Sequence, residues 1–185
     1  ILFLGAGASV TDKKKFLSKE LIDLYSVQKG INLETNDIID FVDPLSSNPN
    51  FSRNDFDEFV DDRLRVLKVT ETHKIVASLN WKEIITTNFD LLIEKAFDEI
   101  TGTPDENLKP IAVRRANEYY FTQDRDEVKY VKLNGCLSDK KKYPLVFSSK
   151  DFEKAAGFYK TVLRSFWKMC GSALPSRLPQ MRSSS

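Results

Sequence analysis

Two spacings of apolar residues alternate along the chain, and together they predict a mixed α/β fold. Residues 1–4 (ILFL) form an unbroken apolar run that enters the small residues GAGAS at 5–9. Such a run is typical of a fully buried strand of a parallel sheet that ends in a tight turn. Between residues 12 and 80, apolar positions recur every three or four residues, which predicts a mostly helical insertion after the first strand. The helices expected there cover residues 16–28, 35–42, 54–67 and 72–79.

Residues that start or stop helices support these boundaries. Pro44 is expected to stop the second helix, and Asn54 is expected to be the N-cap of the third. The apolar side of the fourth helix is expected to consist of Ile75, Val76 and Leu79. His73, the only histidine, also lies in this helix, and we expect a partly exposed residue rather than a catalyst.

Beyond residue 80, β-branched and aromatic runs alternate with helical stripes. The strands expected there cover residues 82–87, 111–113, 119–121, 128–133 and 145–147. Asn88 or Asp90 caps the helix that follows the first of them, and Ser148 or Ser149 begins a long helix that ends near Trp167. Strands separated by helices indicate an open, mostly parallel α/β sheet.

The composition is that of an ordinary soluble globular domain. The 185 residues are enough for a domain with a hydrophobic core. The formal net charge of +1 argues against strong electrostatic attraction to nucleic acid or to a membrane surface. No apolar run approaches the roughly 18 residues of a membrane span. We expect a cytoplasmic protein with one domain over residues 1–170 and an irregular tail over residues 171–185.

Cysteine usage restricts the metal chemistry that the chain can support. Cys136 and Cys170 are the two cysteines, and two thiolates form neither a cysteine-rich zinc site nor a disulfide framework. We therefore expect no zinc and no other bound metal. A reducing compartment fits this cysteine usage.

Polar residues follow three of the predicted strands, where parallel α/β sheets carry their ligand sites. The three segments are GAGAS at 5–9, TTNFD at 86–90 and LNGC at 133–136. Because ligands bind outside the carboxyl ends of parallel strands, these segments are candidates for one cleft. The glycines of the first segment carry no Cβ and can take positive φ, so a phosphate can lie against the backbone. A following helix would direct free N–H groups at that phosphate.

Each segment also has an ordinary structural explanation. The first lacks the third small residue of the dinucleotide fingerprint, because Val10 stands there, so a plain strand–turn–helix corner stays open. The acidic residue expected about 20 positions further on has Glu20 and Asp23 as candidates, and both lie in a helical pattern. Helix capping accounts for the polar residues of the second segment, and Asn-Gly in the third is a common turn dipeptide.

Together, the three segments resemble the sirtuin family, and more closely its bacterial sirtuin-like branch. The family pattern is GAG-x-S after the first strand, then T-Q-N-x-D or T-T-N-[FY]-D, then H-G after a later strand. Here GAGAS at 5–9, TTNFD at 86–90 and KLNG at 132–135 follow in that order. FSSKDF at 147–152 also resembles the next segment of the bacterial branch, so the resemblance spans residues 1 to about 152.

The resemblance implies a Rossmann-like fold that binds NAD and breaks its nicotinamide–ribose bond. In this pattern Asn88 holds the ribose and the attacking water, and Asp90 contacts the carboxamide of nicotinamide or orients water. A nearby carboxylate stabilises the oxocarbenium-like sugar that forms during cleavage. The implied catalytic positions are Asn88, Asp90 and Asn134. The implied cofactor-binding positions lie at the phosphates and along the pocket wall, and they are Gly5, Ala6, Gly7, Ser9, Thr87 and Gly135.

The sequence departs from the family pattern at Asn134, which occupies the position of the family histidine. An amide does not accept a proton near neutral pH, so Asn134 cannot replace a general base. Either another group takes the proton, or this form is inactivated, or the chain binds NAD without turning it over. The zinc module of deacetylase sirtuins needs four cysteines and cannot be built from two, which argues against protein deacetylation.

The leading hypothesis is an NAD+ hydrolase that acts as an effector of bacterial anti-phage defence. For such domains the resemblance implies control by homo-oligomerisation or by a partner defence protein. The alternative is a non-catalytic module that binds or senses NAD or ADP-ribose. Neither membrane association nor direct nucleic-acid binding is expected.

Overall fold

The computed structural model of the chain describes residues 1–10, 16–101, 111–121 and 128–169. Its strands are β1 (Leu2–Leu4), β2 (Glu83–Thr86), β3 (Ile111–Val113) and β4 (Lys129–Lys132). One turn of 3₁₀ helix spans Ala6–Ser9. The α-helices are α1 (Ser18–Lys29), α2 (Ile38–Leu45), α3 (Arg53–Arg65), α4 (Glu71–Ser78), α5 (Leu92–Thr101), α6 (Ala116–Phe121) and α7 (Ser149–Met169).

The four strands form one parallel sheet in the order β1-β2-β4-β3. Consecutive residues of a strand point to opposite faces, and the two isoleucines of β2 show this. Ile84 packs with α4 and α5 on one face, whereas Ile85 packs with α6 and α7 on the other. The expected α/β class with a parallel sheet is confirmed, and the layering is consistent with a Rossmann-like fold.

The helices α1, α2 and α3 pack together around a cluster of aromatic rings. Tyr25, Phe41 and Phe56 are almost completely buried, and their ring centroids lie 4.9 to 6.2 Å apart. Phe147 and Leu92, at the start of α5, join this cluster. Phe89, which follows β2, packs against the same cluster, so the cluster lies beside the carboxyl end of that strand.

The first strand was expected to be fully buried, and this expectation is wrong. Phe3, at the centre of β1, is 55% exposed, and its ring meets that of Phe166 in α7 at 5.4 Å. β1 pairs with β2 on one side, and within the described ranges no strand pairs with its other side. An outermost strand buries less of its surface than a central one, even when its sequence is wholly apolar.

The strand predicted over residues 119–121 is wrong, because these residues belong to α6. The Tyr119 N–H donates to the Arg115 carbonyl at 3.1 Å, and the Tyr119 ring packs against β2 and β4. Aromatic residues favour strands because they fit a half-buried surface. Here a helix presents the same ring to the sheet, so the preference for burial is met without a strand.

The strand predicted over residues 145–147 is also wrong, since this segment is an irregular connection. Leu145 and Phe147 are fully buried and Val146 is not, so the burial pattern imitates a strand. The Val146 N–H donates to the Asn134 carbonyl at 3.0 Å. The Leu145 carbonyl and the Phe147 N–H bond to the side chains of Arg53 and Asp151, and these contacts take the place of a strand ladder.

Two helix ends differ from their predicted positions. Ser52 caps α3 in place of Asn54, because its hydroxyl accepts a hydrogen bond from a first-turn N–H at 3.3 Å. Pro44 lies inside the last turn of α2 and does not stop it earlier. The capping of α7 agrees with one of the two predicted residues, because Ser148 Oγ accepts an N–H of the first turn at 3.2 Å.

α4 buries only part of the side that was predicted, since Val76 packs against the core beside Ala77. Ile75 is 60% exposed and Leu79 is also exposed, whereas His73 and Ala77 are buried. The expectation of a partly exposed His73 is therefore wrong. An imidazole takes an inward position when both of its nitrogens find partners there.

The predicted tail over residues 171–185 and Cys170 lie outside the described residues. In the part of the chain that the structure describes, no helix is both long enough and apolar enough to cross a membrane.

Candidate functional site

Three chain turns meet at the carboxyl edge of the sheet. Because β2 lies between β1 and β4, the segments that leave these three strands are neighbours. The Thr87 N–H donates to the Leu4 carbonyl at 3.3 Å, and the Leu133 N–H donates to the Thr86 carbonyl at 2.9 Å. These bonds continue the sheet beyond its strands and hold the three turns side by side.

A cavity of about 120 Å³, which we call the first cavity, lies among these turns. Its walls include Ala6 and Ser9 from the glycine turn (residues 5–9), residues 87–90 after β2, and Asn134 after β4. The wall on the helical side consists of Phe16, Ser18, Leu21, Ile38 and Leu64. Most of the site residues predicted from the sequence thus border one space.

Asn88 connects the end of β2 to the glycine turn. Its side-chain amide donates to the Gly5 carbonyl at 3.0 Å and to Ser9 Oγ at 2.8 Å. Its backbone N–H donates to the Thr86 hydroxyl at 3.0 Å, and the residue is 8% exposed. The alternative that Asn88 caps the next helix is wrong, because its side chain bonds to the glycine turn.

Asp90 combines a capping role with a place in the cavity wall. One carboxylate oxygen accepts the Leu92 N–H at 2.9 Å and so caps α5, while the other accepts a hydrogen bond from the Ser9 hydroxyl. Asp90 is 4% exposed. Each carboxylate oxygen has a second lone pair, so these two bonds leave acceptor capacity for a ligand.

A buried lysine bonds to the backbone of Asp90 and to a neighbouring carboxylate. Lys132 is fully buried, and its ammonium donates to the backbone carbonyl of Asp90 and to Glu94 Oε1, the latter at 2.9 Å. A buried ammonium needs such partners, because an unpaired charge is costly away from water. The pairing fixes the backbone from which the Asp90 side chain projects.

Asn134 is oriented by a tyrosine that the sequence reasoning missed. The hydroxyl of Tyr159 in α7 donates to Asn134 Oδ1. Burial raises the pKa of Tyr159 to about 12, so this hydroxyl keeps its proton at neutral pH. With Oδ1 engaged, the Asn134 side chain offers its amide N–H groups, which have no partner among the described residues. Asn134 thus supplies hydrogen-bond donors and no general base.

The glycines of the first turn adopt a different geometry from the one expected. Neither Gly5 nor Gly7 has positive φ, and a Cβ on either would meet no atom within 4 Å. The segment that follows is a four-residue 3₁₀ turn, so the expected helix N-terminus for a phosphate is not formed there. Both glycines are exposed, and they leave bare backbone open to a ligand.

Gly135 has a structural reason to be glycine. Its φ is +90°, and a Cβ would lie 2.3 Å from the Pro144 carbonyl oxygen. It borders a different cavity from the first, on the far side of the Asn134 turn. Its predicted contact with NAD stays a prediction.

His73 contributes to the site from outside the predicted motifs. Its Nδ1 accepts the Thr70 N–H at 2.9 Å and lies 2.8 Å from the Thr70 hydroxyl. Its Nε2 lies 2.6 Å from the Ala8 carbonyl oxygen, and since Nδ1 accepts, Nε2 carries the proton and donates it. The residue is 3% exposed. The Thr-x-x-His spacing at a helix start is the signal that could have identified the Thr70 bond.

No group of three or more histidine, cysteine, aspartate or glutamate side chains within the described ranges could hold a metal ion. The side chains of Ser9, Asn88 and Asp90 in the first cavity bond to one another and to the backbone.

The family of the chain follows from a comparison with family models. A model described as SIR2-like domain matches residues 82–177, a segment that contains Asn88, Asp90 and Asn134. No match to the chain is found among curated proteins. The matched segment covers more than half of the 185 residues, so the resemblance to sirtuins is confirmed. The chain belongs to the SIR2-like domain family.

Proposed function

We propose that the chain binds NAD at the first cavity and hydrolyses the bond between nicotinamide and ribose. SIR2-like domains use NAD, and the family is associated with NAD-dependent enzymatic activity. The observation that carries the proposal is the meeting of Ser9, Asn88, Asp90 and Asn134 at one cavity.

The residues present fit the reacting end of the dinucleotide. The cavity of about 120 Å³ is smaller than the ~300–1,000 Å³ of pockets that enclose a whole small molecule. We therefore assign the nicotinamide ribose to the cavity and the diphosphate to the exposed backbone of Gly5 and Gly7, where a Cβ would meet no atom of the described residues within 4 Å. Asn134 offers donors to a ribose oxygen, and Asp90 offers a carboxylate.

Asp90 is the residue to which we assign the main chemical role. When the C1′–N bond breaks, its electron pair goes to the nicotinamide nitrogen and positive charge develops on the ribose. A carboxylate that is almost completely buried stabilises this charge more strongly than one in water. The oxygen of a water molecule then bonds to C1′, and its proton goes to Asp90, since Asn134 cannot accept it. The products are nicotinamide, ADP-ribose and one proton.

Ser9 and Asn88 hold the parts of this site in place. Ser9 donates to Asp90 and accepts from Asn88, so the hydroxyl links the carboxylate to the amide. Asn88 also bonds to the Gly5 carbonyl at 3.0 Å, which fixes the glycine turn relative to the cavity. Preorganised contacts of this kind cost no rearrangement when charge develops.

Hydrolysis is tested by incubating the chain with NAD and measuring the released nicotinamide by chromatography. We expect release by the wild-type chain and a loss of about a hundredfold or more in Asn88→Ala, since both bonds to the glycine turn are removed. Asn80→Ala is the matched control, because Asn80 is exposed just before β2 and lies outside the first cavity. Release by Asn88→Ala at the wild-type rate would contradict the assigned site.

A second candidate function is binding or sensing of NAD or ADP-ribose without turnover. The observation that favours it is Asn134, whose amide replaces the histidine of the family pattern and accepts no proton. Calorimetry with NAD separates the two functions. Binding without any nicotinamide release would support the sensor and contradict the hydrolase.

We also propose that the chain acts in bacterial anti-phage defence in the cytoplasm, under the control of homo-oligomerisation or a partner defence protein. The support for this setting is the sequence resemblance to the bacterial branch. The gene for the chain is expressed in bacteria together with its neighbouring genes, and the bacteria are infected with phage. We expect fewer plaques on bacteria that produce the wild-type chain than on bacteria that produce Asn88→Ala. Equal plaque numbers at equal protein levels would contradict this role.

A further inference from the structure

A larger cavity lies beside the first, and we call it the second cavity. It measures about 460 Å³ and lies where β3 and β4 end, with Leu133 and Gly135 in its wall. Asn134, between these two residues, borders the first cavity instead. The two cavities are therefore separated by one turn of chain.

Among the residues that the structure describes, four cationic side chains border the second cavity, and they come from three parts of the chain. Arg114 and Arg115 follow β3, Lys142 lies in the connection after β4, and Lys154 lies on α7. Three of these charges gather around one aromatic ring. Arg114 Cζ, Arg115 Cζ and Lys142 Nζ lie 4.9, 5.2 and 4.9 Å from the centroid of the Tyr143 ring.

The carboxylates that the structure describes near this cavity already have hydrogen-bond or ion-pair partners. Asp151 borders the cavity, but its carboxylate forms an ion pair with Arg53 and accepts the Phe147 N–H at 3.3 Å. Glu118 accepts the Tyr143 hydroxyl at 2.7 Å and the backbone N–H of Arg114 at 2.8 Å. Asp139 also accepts the backbone N–H of Lys142 at 3.0 Å, so within the described residues the four cations outnumber three carboxylates around the cavity.

The rest of the wall is mostly apolar. The apolar and small residues are Leu133, Ala116, Pro144, Val146, Ala155, Gly157 and Phe158. A cavity of this volume, with a cationic rim and an apolar floor, suits a ligand with an anionic group and a ring. Guanidinium groups bind phosphate through paired N–H donors, and an ammonium adds a point charge.

We propose that the second cavity binds a small phosphate-bearing molecule with an aromatic or apolar part, at a site distinct from the one assigned to NAD. The phosphate lies against Arg115, Lys142 and Lys154. The ring lies on the apolar floor beside Phe158. This proposal needs no turnover at the first cavity, so it stands or fails separately from the proposed hydrolysis.

The test uses calorimetry with uridine monophosphate and inorganic pyrophosphate as probes, and uridine as the probe without phosphate. We expect uridine monophosphate to bind and uridine to bind at least about tenfold more weakly, because a charge-assisted bond to phosphate is lost. Lys154→Glu should weaken binding of both phosphate probes by about tenfold or more. Absence of binding by both phosphate probes overturns the proposal.

Two further variants locate the probes. Lys160→Glu is the matched control, because Lys160 is exposed on the same helix and lies outside the second cavity. Lys160→Glu should leave binding of the phosphate probes unchanged. A loss equal to that in Lys154→Glu would show that the net charge of the chain determines binding, and it would overturn the proposed site. Asn88→Ala should also leave that binding unchanged, and a loss there would assign the probes to the first cavity and overturn the proposal. Thermal unfolding of each variant checks that it is folded.

Discussion

The two ends of the sheet both bury charged side chains, but they do so in different surroundings. At the carboxyl end, the Asp90 carboxylate bonds to Ser9 and borders the first cavity. At the amino end of β2, Glu83 is 2% exposed and bonds to Tyr119, with the charge of Lys129 nearby. One Glu83 oxygen has no hydrogen-bond partner among the described residues.

This difference teaches that burial of a charge does not identify a site by itself. Asp90 is buried beside space that a ligand can enter, and Glu83 is buried against protein side chains. Buried polar groups indicate function when they border a cavity and converge from several elements. We therefore expect substitutions at the carboxyl end to change activity, and substitutions at the amino end to change stability.

Asp90→Asn should give the largest change in activity. The amide keeps the shape of the side chain and an oxygen that caps α5, but it loses the negative charge. Nicotinamide release should fall by about 10²- to 10³-fold, with little change in the melting temperature. The control is Asp62→Asn, at an exposed position of α3, which should release nicotinamide at the wild-type rate. A variant that is strongly destabilised yet fully active would show that Asp90 only caps α5.

Asn134→His should give the next largest change, in the opposite direction. An imidazole at this position can accept a proton, so nicotinamide release should rise by about tenfold or more if the base limits the rate. Tyr159 holds the side chain at this position, and the double variant Asn134→His with Tyr159→Phe should lose part of the gain. Wild-type activity in Asn134→His would contradict a rate limited by the missing base and would leave Asp90 as the proton acceptor.

His73→Leu should reduce activity more moderately, by about tenfold, through the glycine turn. It removes the bonds to Ala8 and Thr70, and we expect a loss of about 1–3 kcal/mol in the free energy of unfolding. His73→Gln is the matched variant, because its amide can donate to the Ala8 carbonyl and accept the Thr70 N–H. Recovery of most of the activity and stability in His73→Gln supports the hydrogen bonds as the cause. Equal losses in both variants would assign the role of His73 to ring packing.

The sequence predicted the parts of the fold that depend on local patterns. β2 and β4 carry β-branched or aromatic residues and end at polar segments, so their positions could be read from the chain. Neighbouring parallel strands place their ends at one edge, which is why Asn88 and Asn134 could be assigned to one cleft.

The remaining features depend on contacts between distant residues, which no local pattern contains. His73 is inward because Ala8, 65 positions earlier, offers a carbonyl to its Nε2. Tyr159 bonds to Asn134 because α7 passes beside the turn after β4. Tyr119 lies in a helix whose packing against the sheet buries the ring. Strand propensity does not include this contact between a helix and a sheet.

Glu83→Gln should give the smallest change and should affect stability alone. Burial raises the pKa of Glu83, while the Tyr119 bond and the charge of Lys129 oppose this effect only in part. The folded chain thus holds this proton more tightly than the unfolded chain does. The resulting stabilisation is complete below the ordinary carboxyl pKa of about 4.3 and is lost as the pH rises through the raised pKa.

A glutamine at this position does not ionise, so it should lose no stability over that pH range. Urea unfolding at a series of pH values should therefore show a shallower decline in the free energy of unfolding for Glu83→Gln than for the wild-type chain. Nicotinamide release at neutral pH should not change, because Glu83 lies at the opposite end of β2 from Asn88. A fall in release without a change in the pH dependence of stability would break the distinction between the two ends of the sheet.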